Sequence, residues 1–241
     1  MDLPPHLRAV LPSPTRRTWA VLRGNLPQGA YLVGLTGIAA HLGHWESRDL
    51  DFFVGEPFDP EQLVISLERI GQFVVTQIGP GTVNGYLDET KIQFLDATNQ
   101  HPVEPMKLIG GIPVAGLRDL LATKLKVVGD RGELRDYFDV MTLERDAALL
   151  VEEGLALFIS RYRPATPEAA VLHIVRGLGS FADVGDDPGL PVGRPAIEEY
   201  WIGRQPEIVA SLGWLTGRER QQDRHPGPES LDEEKHSAGG K

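Results

Sequence analysis

The chain has 241 residues, 41% hydrophobic and 24% charged, enough for one large or two small domains with a sizeable core. It has no cysteine, which excludes a disulfide framework, a thiolate metal site and a cysteine nucleophile, and fits a reducing compartment. The net charge of −10 argues against a protein that grips nucleic acid over its whole surface, yet leaves room for an enzyme touching one RNA end through a local basic patch.

The opening "MDLPPHLRAVLPSP" lacks the basic and apolar regions of a signal peptide, and no stretch is apolar enough for a membrane span. A cytoplasmic protein, monomeric and not bound to a membrane, is expected. Residues 15–23 read as a helix entered from Pro14, and 30–34 as a short buried strand. A small-residue helix, 37–44, follows directly. Residues 49–54, "DLDFFV", alternate as a strand. Asp59, Pro60 and Gln62 start the next helix with a capping-box arrangement. Residues 72–79 and 83–96 read as strands separated by Gly-Pro-Gly and Asp-Glu-Thr turns.

The second half changes character. Residues 116–128, 132–144, 146–162 and 166–180 carry helical periodicity, the last entered through Thr166-Pro167. A loop, 183–195, precedes a final helix over 196–214. The fold class is therefore α+β. A mixed β-sheet domain with flanking helices (1–108) precedes an α-helical domain (109–217), and a polar tail (218–241) is expected to be disordered.

Asp49 and Asp51 lie two apart on a strand and share a face. They are either the wet face of an ordinary strand or a carboxylate pair for a hard divalent cation. Upstream, Gly34-Leu35-Thr36 joins strand to helix. Its free N–H groups and the Thr36 hydroxyl form a natural phosphate cradle, or Thr36 simply caps the helix. Lys124 falls on the apolar stripe marked by Leu117, Leu120, Leu121, Leu125 and Val128, whereas Lys126 falls outside it. Lys124 must snorkel, pair or meet a ligand. Asp130 reads as the cap of the next helix, with Glu133 at N3. Arg135 and Asp139 are i,i+4 partners on that helix. Lys124, Arg131, Arg135 and Asp139 could together make a mixed basic and acidic site.

These blocks resemble the AbiEii/AbiGii family of nucleotidyltransferase-like toxins, which includes the MenT toxins. Gly34, Thr36, Gly43, His44, Ser47, Asp49, Asp51, Phe52 and Phe53 match its opening block. Lys124, Arg131, Gly132, Arg135, Asp136 and Asp139 match its second, and "HIVRGLGSFADVGDDPGLP" resembles its C-terminal segment. The resemblance covers most of the chain. It implies a nucleotidyltransferase α/β domain followed by helices. The expected function is the toxin of a toxin–antitoxin pair, an enzyme that adds nucleotides from an NTP to the 3′ end of tRNA and so blocks translation. Asp49 and Asp51 would hold Mg²⁺, while Gly34, Thr36, Ser47, Arg131 and Arg135 would contact the NTP, with CTP or another pyrimidine nucleotide as a candidate. Lys124 would neutralise phosphate charge, and Asp139 would orient that lysine or the incoming hydroxyl. A cognate antitoxin protein is the implied partner.

The chain departs from the family pattern in three places. Leu35 stands where a second glycine is usual, and Trp45-Glu46 follows Gly-His where arginine is common. On the strand 91–96, Gln93 takes the inward position where many nucleotidyltransferases carry a third carboxylate, and Asp96 has the opposite parity. Two alternatives follow: transfer to a protein (the antitoxin) or a small molecule, or a nucleotide-binding module without transferase activity.

Overall fold

The structure, a computed structural model, describes residues 2–213; the expected tail lies outside the described residues. Two short helices with proline in the first turn open it, α1 (Pro5–Val10) and α2 (Ser13–Leu22). Strand β1 (Ala30–Val33) runs straight into α3 (Gly34–Leu42), and β2 (Leu50–Val54) follows. Helix α4 (Pro60–Glu68) starts as its sequence predicts, with the Asp59 carboxylate accepting from the Glu61 and Gln62 N–H groups. Then come β3 (Phe73–Gly79), β4 (Thr82–Leu87) and β5 (Thr90–Asp96). A short hairpin follows, β6 (Lys107–Ile109) and β7 (Ile112–Val114). The remainder is helical: α5 (Leu117–Asp130), α6 (Leu134–Ala147), α7 (Val151–Tyr162), α8 (Pro167–Leu178) and α9 (Arg194–Ser211).

The seven strands form one mixed sheet in the order β3-β4-β5-β2-β1-β7-β6. The β2–β5 and β1–β7 pairs are parallel and the others antiparallel. Alternation along the strands separates two cores. On one face Leu32, Leu50, Phe52, Val54, Ile92 and Phe94 pack against α1, α2 and α4. On the other, Tyr31, Val33 and Phe53 pack against the helices α5 to α9. Among the described residues no helix is long and apolar enough to cross a membrane.

Three expectations need correction. The change to all-helical structure falls at Leu117 rather than near residue 108, because the β6–β7 hairpin joins the sheet through Leu32 and Val114. Three-residue strands are too short to show a period of two. Asp130 does not cap α6; it ends α5. The chain turns at Gly132 with φ 27°, and Glu133 takes the cap position, with Asp136 completing the capping box. Arg135 and Asp139 are not partners: Arg135 pairs with Glu133, while Asp139 faces inward. The cap's shift to Glu133 decides this, because Glu133 then stands beside Arg135 at the helix entrance.

A buried ion pair ties the helices to the sheet. Arg161 of α7, 0% exposed, pairs with Asp119 of α5 and donates to Tyr31 Oη at 2.9 Å and Gln100 Oε1 at 3.0 Å. Asp119 also accepts the backbone N–H groups of Val103 and Glu104, at 2.9 and 3.1 Å.

Candidate active site

The site begins where β1 becomes α3. Val33 is paired with Asp51 of the adjacent strand, so the turn residue Gly34 sits directly against that carboxylate. Gly34 has φ +67°, a conformation open to glycine, and a Cβ there would lie 2.6 Å from Asp51 Oδ2. No side chain caps α3, so the N–H groups of its first turn have no side-chain acceptor. Leu35 is half-buried on the cleft wall. Thr36 is fully buried, and its hydroxyl engages the Ser47 hydroxyl and the Asp49 carbonyl. That hydroxyl therefore neither caps the helix nor faces the cleft; it pins the loop carrying Ser47 and Asp49 to α3.

Asp49 and Asp51 line one cleft of about 640 Å³. Burial, and then the neighbouring Asp49 charge, push the Asp51 carboxyl up to about 6. Lys124, Lys91 and Arg135 pull the other way. In β5, Gln93 is the in-register neighbour of Asp51, so an amide occupies the place of a third carboxylate. Asp96, paired with Val54, caps the Thr98 N–H instead. Among the described residues no group of three or more His, Asp or Glu side chains could hold a metal. Two crowded carboxylates do fit Mg²⁺, which takes one or two carboxylates and fills its other positions with water and substrate phosphate.

Lys124 rises from α5 into the cleft, nearly buried. Its Nζ lies 2.7 Å from Asp136 Oδ1 and 2.6 Å from Asp139 Oδ2. Burial opposes its charge, but the two carboxylates outweigh it and hold the ammonium charged, its pKa raised. Asp139, 0% exposed, is held below the usual carboxylate range despite its burial, chiefly by Lys124 and then by His44. Its Oδ1 accepts from His44 Nε2 at 3.1 Å and Trp45 Nε1 at 3.3 Å. Asp139 lies beneath the cleft as the support of Lys124. His44 and Trp45, on the loop between α3 and β2 that also carries Asp49, are the other half of that support. Arg131 and Arg135 stand on the rim and share Glu133.

This arrangement invites comparison with known proteins. No family model matches the chain. A curated relative, the uncharacterized protein aq_aa25 of Aquifex aeolicus (strain VF5), is 26% identical over 174 residues, spanning 71% of this chain and 80% of its own. A solved structure, a candidate nucleotidyltransferase from H. pylori, superposes with a TM-score of 0.51 at 16% identity, covering 88% of this chain and 97% of that one. The fold is nucleotidyltransferase-like. A CCA-adding enzyme in complex with CTP aligns more loosely, with a TM-score of 0.32 at 12% identity over 72% of this chain and 54% of that one, too distant to bear on the site.

In this nucleotidyltransferase-like fold, the cleft gathers Gly34, Ser47, Asp49, Asp51, Lys124, Arg131 and Arg135. Thr36 and Asp139 lie just behind its wall. Sequence reasoning missed Lys91, Arg48 and Asp187, which also line it. Lys91 was within reach, because it stands two residues before Gln93 and so shares its face. Asp187 was not, because it enters on the irregular segment between α8 and α9.

Gly34 supports a direct test. A Gly34→Ala change is expected to cost about 1 to 2 kcal/mol in stability from the left-handed backbone alone. The new Cβ must also displace the Asp51 carboxylate. Mg-NTP affinity, followed by titration calorimetry, should fall at least about tenfold, an expectation of about 1.4 kcal/mol. An affinity equal to that of the wild type would separate Gly34 from the nucleotide site.

Proposed function

We propose that the chain is a Mg²⁺-dependent nucleotidyltransferase that joins nucleotides from an NTP to the 3′ end of tRNA, acting as the toxin of a toxin–antitoxin pair. The observation that carries this reading is the single cleft in which the Asp49–Asp51 pair meets the Gly34 turn on one side and the buried, charged Lys124 on the other. The resemblance to AbiEii/AbiGii toxins supports the choice of acceptor and the expectation of an antitoxin.

In the proposed reaction the ribose 3′-oxygen bonds to the α-phosphorus. The bond from that phosphorus to the bridging oxygen breaks, pyrophosphate leaves, and the hydroxyl proton passes to solvent. When bound, Mg²⁺ supplies charge neutralisation and alignment of the phosphates, with Asp49 and Asp51 as its protein ligands. The uncapped N–H groups of α3 and the rim residues Arg131 and Arg135 hold the triphosphate. Lys124 stabilises charge building on the phosphates. It needs no reorganisation to do so, because Asp136 and Asp139 already fix its position. Gln93, an amide, orients the acceptor without taking a proton.

Incubation of the purified protein with total tRNA, Mg²⁺ and each labelled NTP tests this reading. Label should appear at the tRNA 3′ end with at least one NTP and vanish with Asp51→Ala. Expression should arrest growth for the wild type and not for Asp51→Ala. Intact tRNA left unlabelled by every NTP would overturn the reading, and label in a protein or small molecule would move it to another acceptor.

A further inference from the structure

Beside the carboxylate pair the sheet carries an open face of which the reaction as described uses only Asp51 and Gln93. Cross-strand partners point the same way, so two rows of side chains cross β5, β4 and β3 away from β2. One row is Asp51, Gln93, Asn84 and Gln77. The other is Lys91, Tyr86 and Val74, with Lys91 one step before the paired Leu50 and Ile92 and hence level with Asp49. Helix α4 covers the opposite face of these strands through Leu63 and Leu67, which pack with Phe73, Val83 and Leu87. On the cleft side Tyr86 is 44% and Val74 52% exposed.

Three observations mark this face as built for a ligand. Of the cations lining the cleft, Arg48, Lys124, Arg131 and Arg135 all form close ion pairs with carboxylates, whereas Lys91 forms none among the described residues and acts only through its longer-range attraction to Asp51. The Tyr86 ring, directly opposite Lys91, makes no ring contact or hydrogen bond among the described residues. Asn84 donates to Gln77 Oε1 at 2.8 Å, yet its own Oδ1 is buried without a partner. An unpaired cation, a bare aromatic face and an unsatisfied amide stand in line with the two aspartates.

We infer that this face is the acceptor platform, binding the single-stranded 3′ end of an RNA so that its terminal hydroxyl reaches Asp49 and Asp51. The inference rests on the transferase reading and adds where the acceptor lies. A base stacks on Tyr86 against Val74, the backbone phosphate pairs with Lys91, and Asn84 and Gln93 meet base or ribose edges. The overall charge of −10 is no obstacle, because the positive charge required is local. A protein acceptor is the less favoured occupant, since a bare aromatic beside an unpaired cation matches a base and its phosphate.

The test uses the full chain and a short 5′-labelled single-stranded RNA with a free 3′-hydroxyl, with binding read by fluorescence anisotropy. Tyr86→Ala should weaken binding about tenfold, while Tyr86→Phe, which keeps the ring, stays close to wild type. Lys91→Ala should weaken binding and lower the slope of log affinity against log salt by about one. Mg-NTP affinity in the Tyr86 variants should not change. Equal RNA affinity in wild type and Tyr86→Ala, or no RNA binding at all, overturns the platform. Binding that depends on Tyr86 without any tRNA labelling keeps the platform and overturns the transferase reading. Labelling of tRNA with an acceptor KM unmoved by Tyr86→Ala does the reverse.

Discussion

Lys124→Ala is expected to cut nucleotide transfer by about a hundredfold or more, the loss typical of removing one preorganised electrostatic group from a reaction centre. Lys124 reaches the cleft from a helix stripe that is otherwise apolar. Its ammonium remains charged because two carboxylates flank it at 2.6 and 2.7 Å. Removing it also leaves Asp136 and Asp139 buried without their cation, which adds a stability cost of about 3 to 5 kcal/mol. Asp139→Asn separates the two effects. It preserves shape and the Lys124–Asp136 pair, so the protein should fold while kcat falls more than KM changes. The acid limb of stability supplies a second readout. The folded Asp139 pKa is depressed, so its contribution is complete above the unfolded value of about 4 and disappears as pH falls through the lower folded value. Urea midpoints between pH 5 and pH 2 should therefore fall more steeply for wild type than for Asp139→Asn. Full transfer activity in Lys124→Ala would remove the lysine from the mechanism.

Arg161→Ala is the change with the largest expected effect on stability alone, a loss of about 3 to 5 kcal/mol. That is a large part of the 5 to 15 kcal/mol that holds a typical domain together. The variant buries the Asp119 carboxylate without its cation, and takes donors from Tyr31 and Gln100. Converting both partners to apolar residues, Arg161→Met with Asp119→Leu, should recover part of the loss and not all of it. Asp119 also accepts the Val103 and Glu104 N–H groups, which leucine cannot satisfy. Equilibrium urea unfolding of the single and double variants measures both terms. A loss under about 1 kcal/mol for Arg161→Ala would show that solvent reaches the pair, because that is the range of exposed ion pairs.

Local chemistry made much of this protein legible from its residues. The Asp59-Pro60 start of α4 is written in adjacent positions, since capping satisfies N–H groups a few residues away. The order of strand, glycine turn, helix and carboxylate strand was equally readable. A period of two fixes which side chains of a strand share a face, so Asp49 with Asp51, and Gln93 turned inward, followed without knowledge of their neighbours. The position of Lys124 within an apolar stripe signalled that it needed a partner. The same local logic failed at the start of α6. Asp130 has the side chain of an N-cap, but α5 runs through it and the cap falls to Glu133 instead.

What the sequence by itself determined, then, was the set of elements, their faces and the residues that had to be explained. The tertiary structure alone decided who meets whom. The parallel pairing of β2 with β5 brings Gln93 beside Asp51 and lines up Lys91 and Tyr86 with the carboxylates. The packing of α5 and α6 assigns Asp136 and Asp139 to Lys124, and His44 reaches Asp139 across 95 positions of the chain. The Thr36 hydroxyl turned to Ser47 and Asp49 rather than to the cleft. The reason is physical: periodicity records a choice between core and solvent at each residue, whereas burying a charge or hydroxyl requires a partner that only the assembled chain supplies.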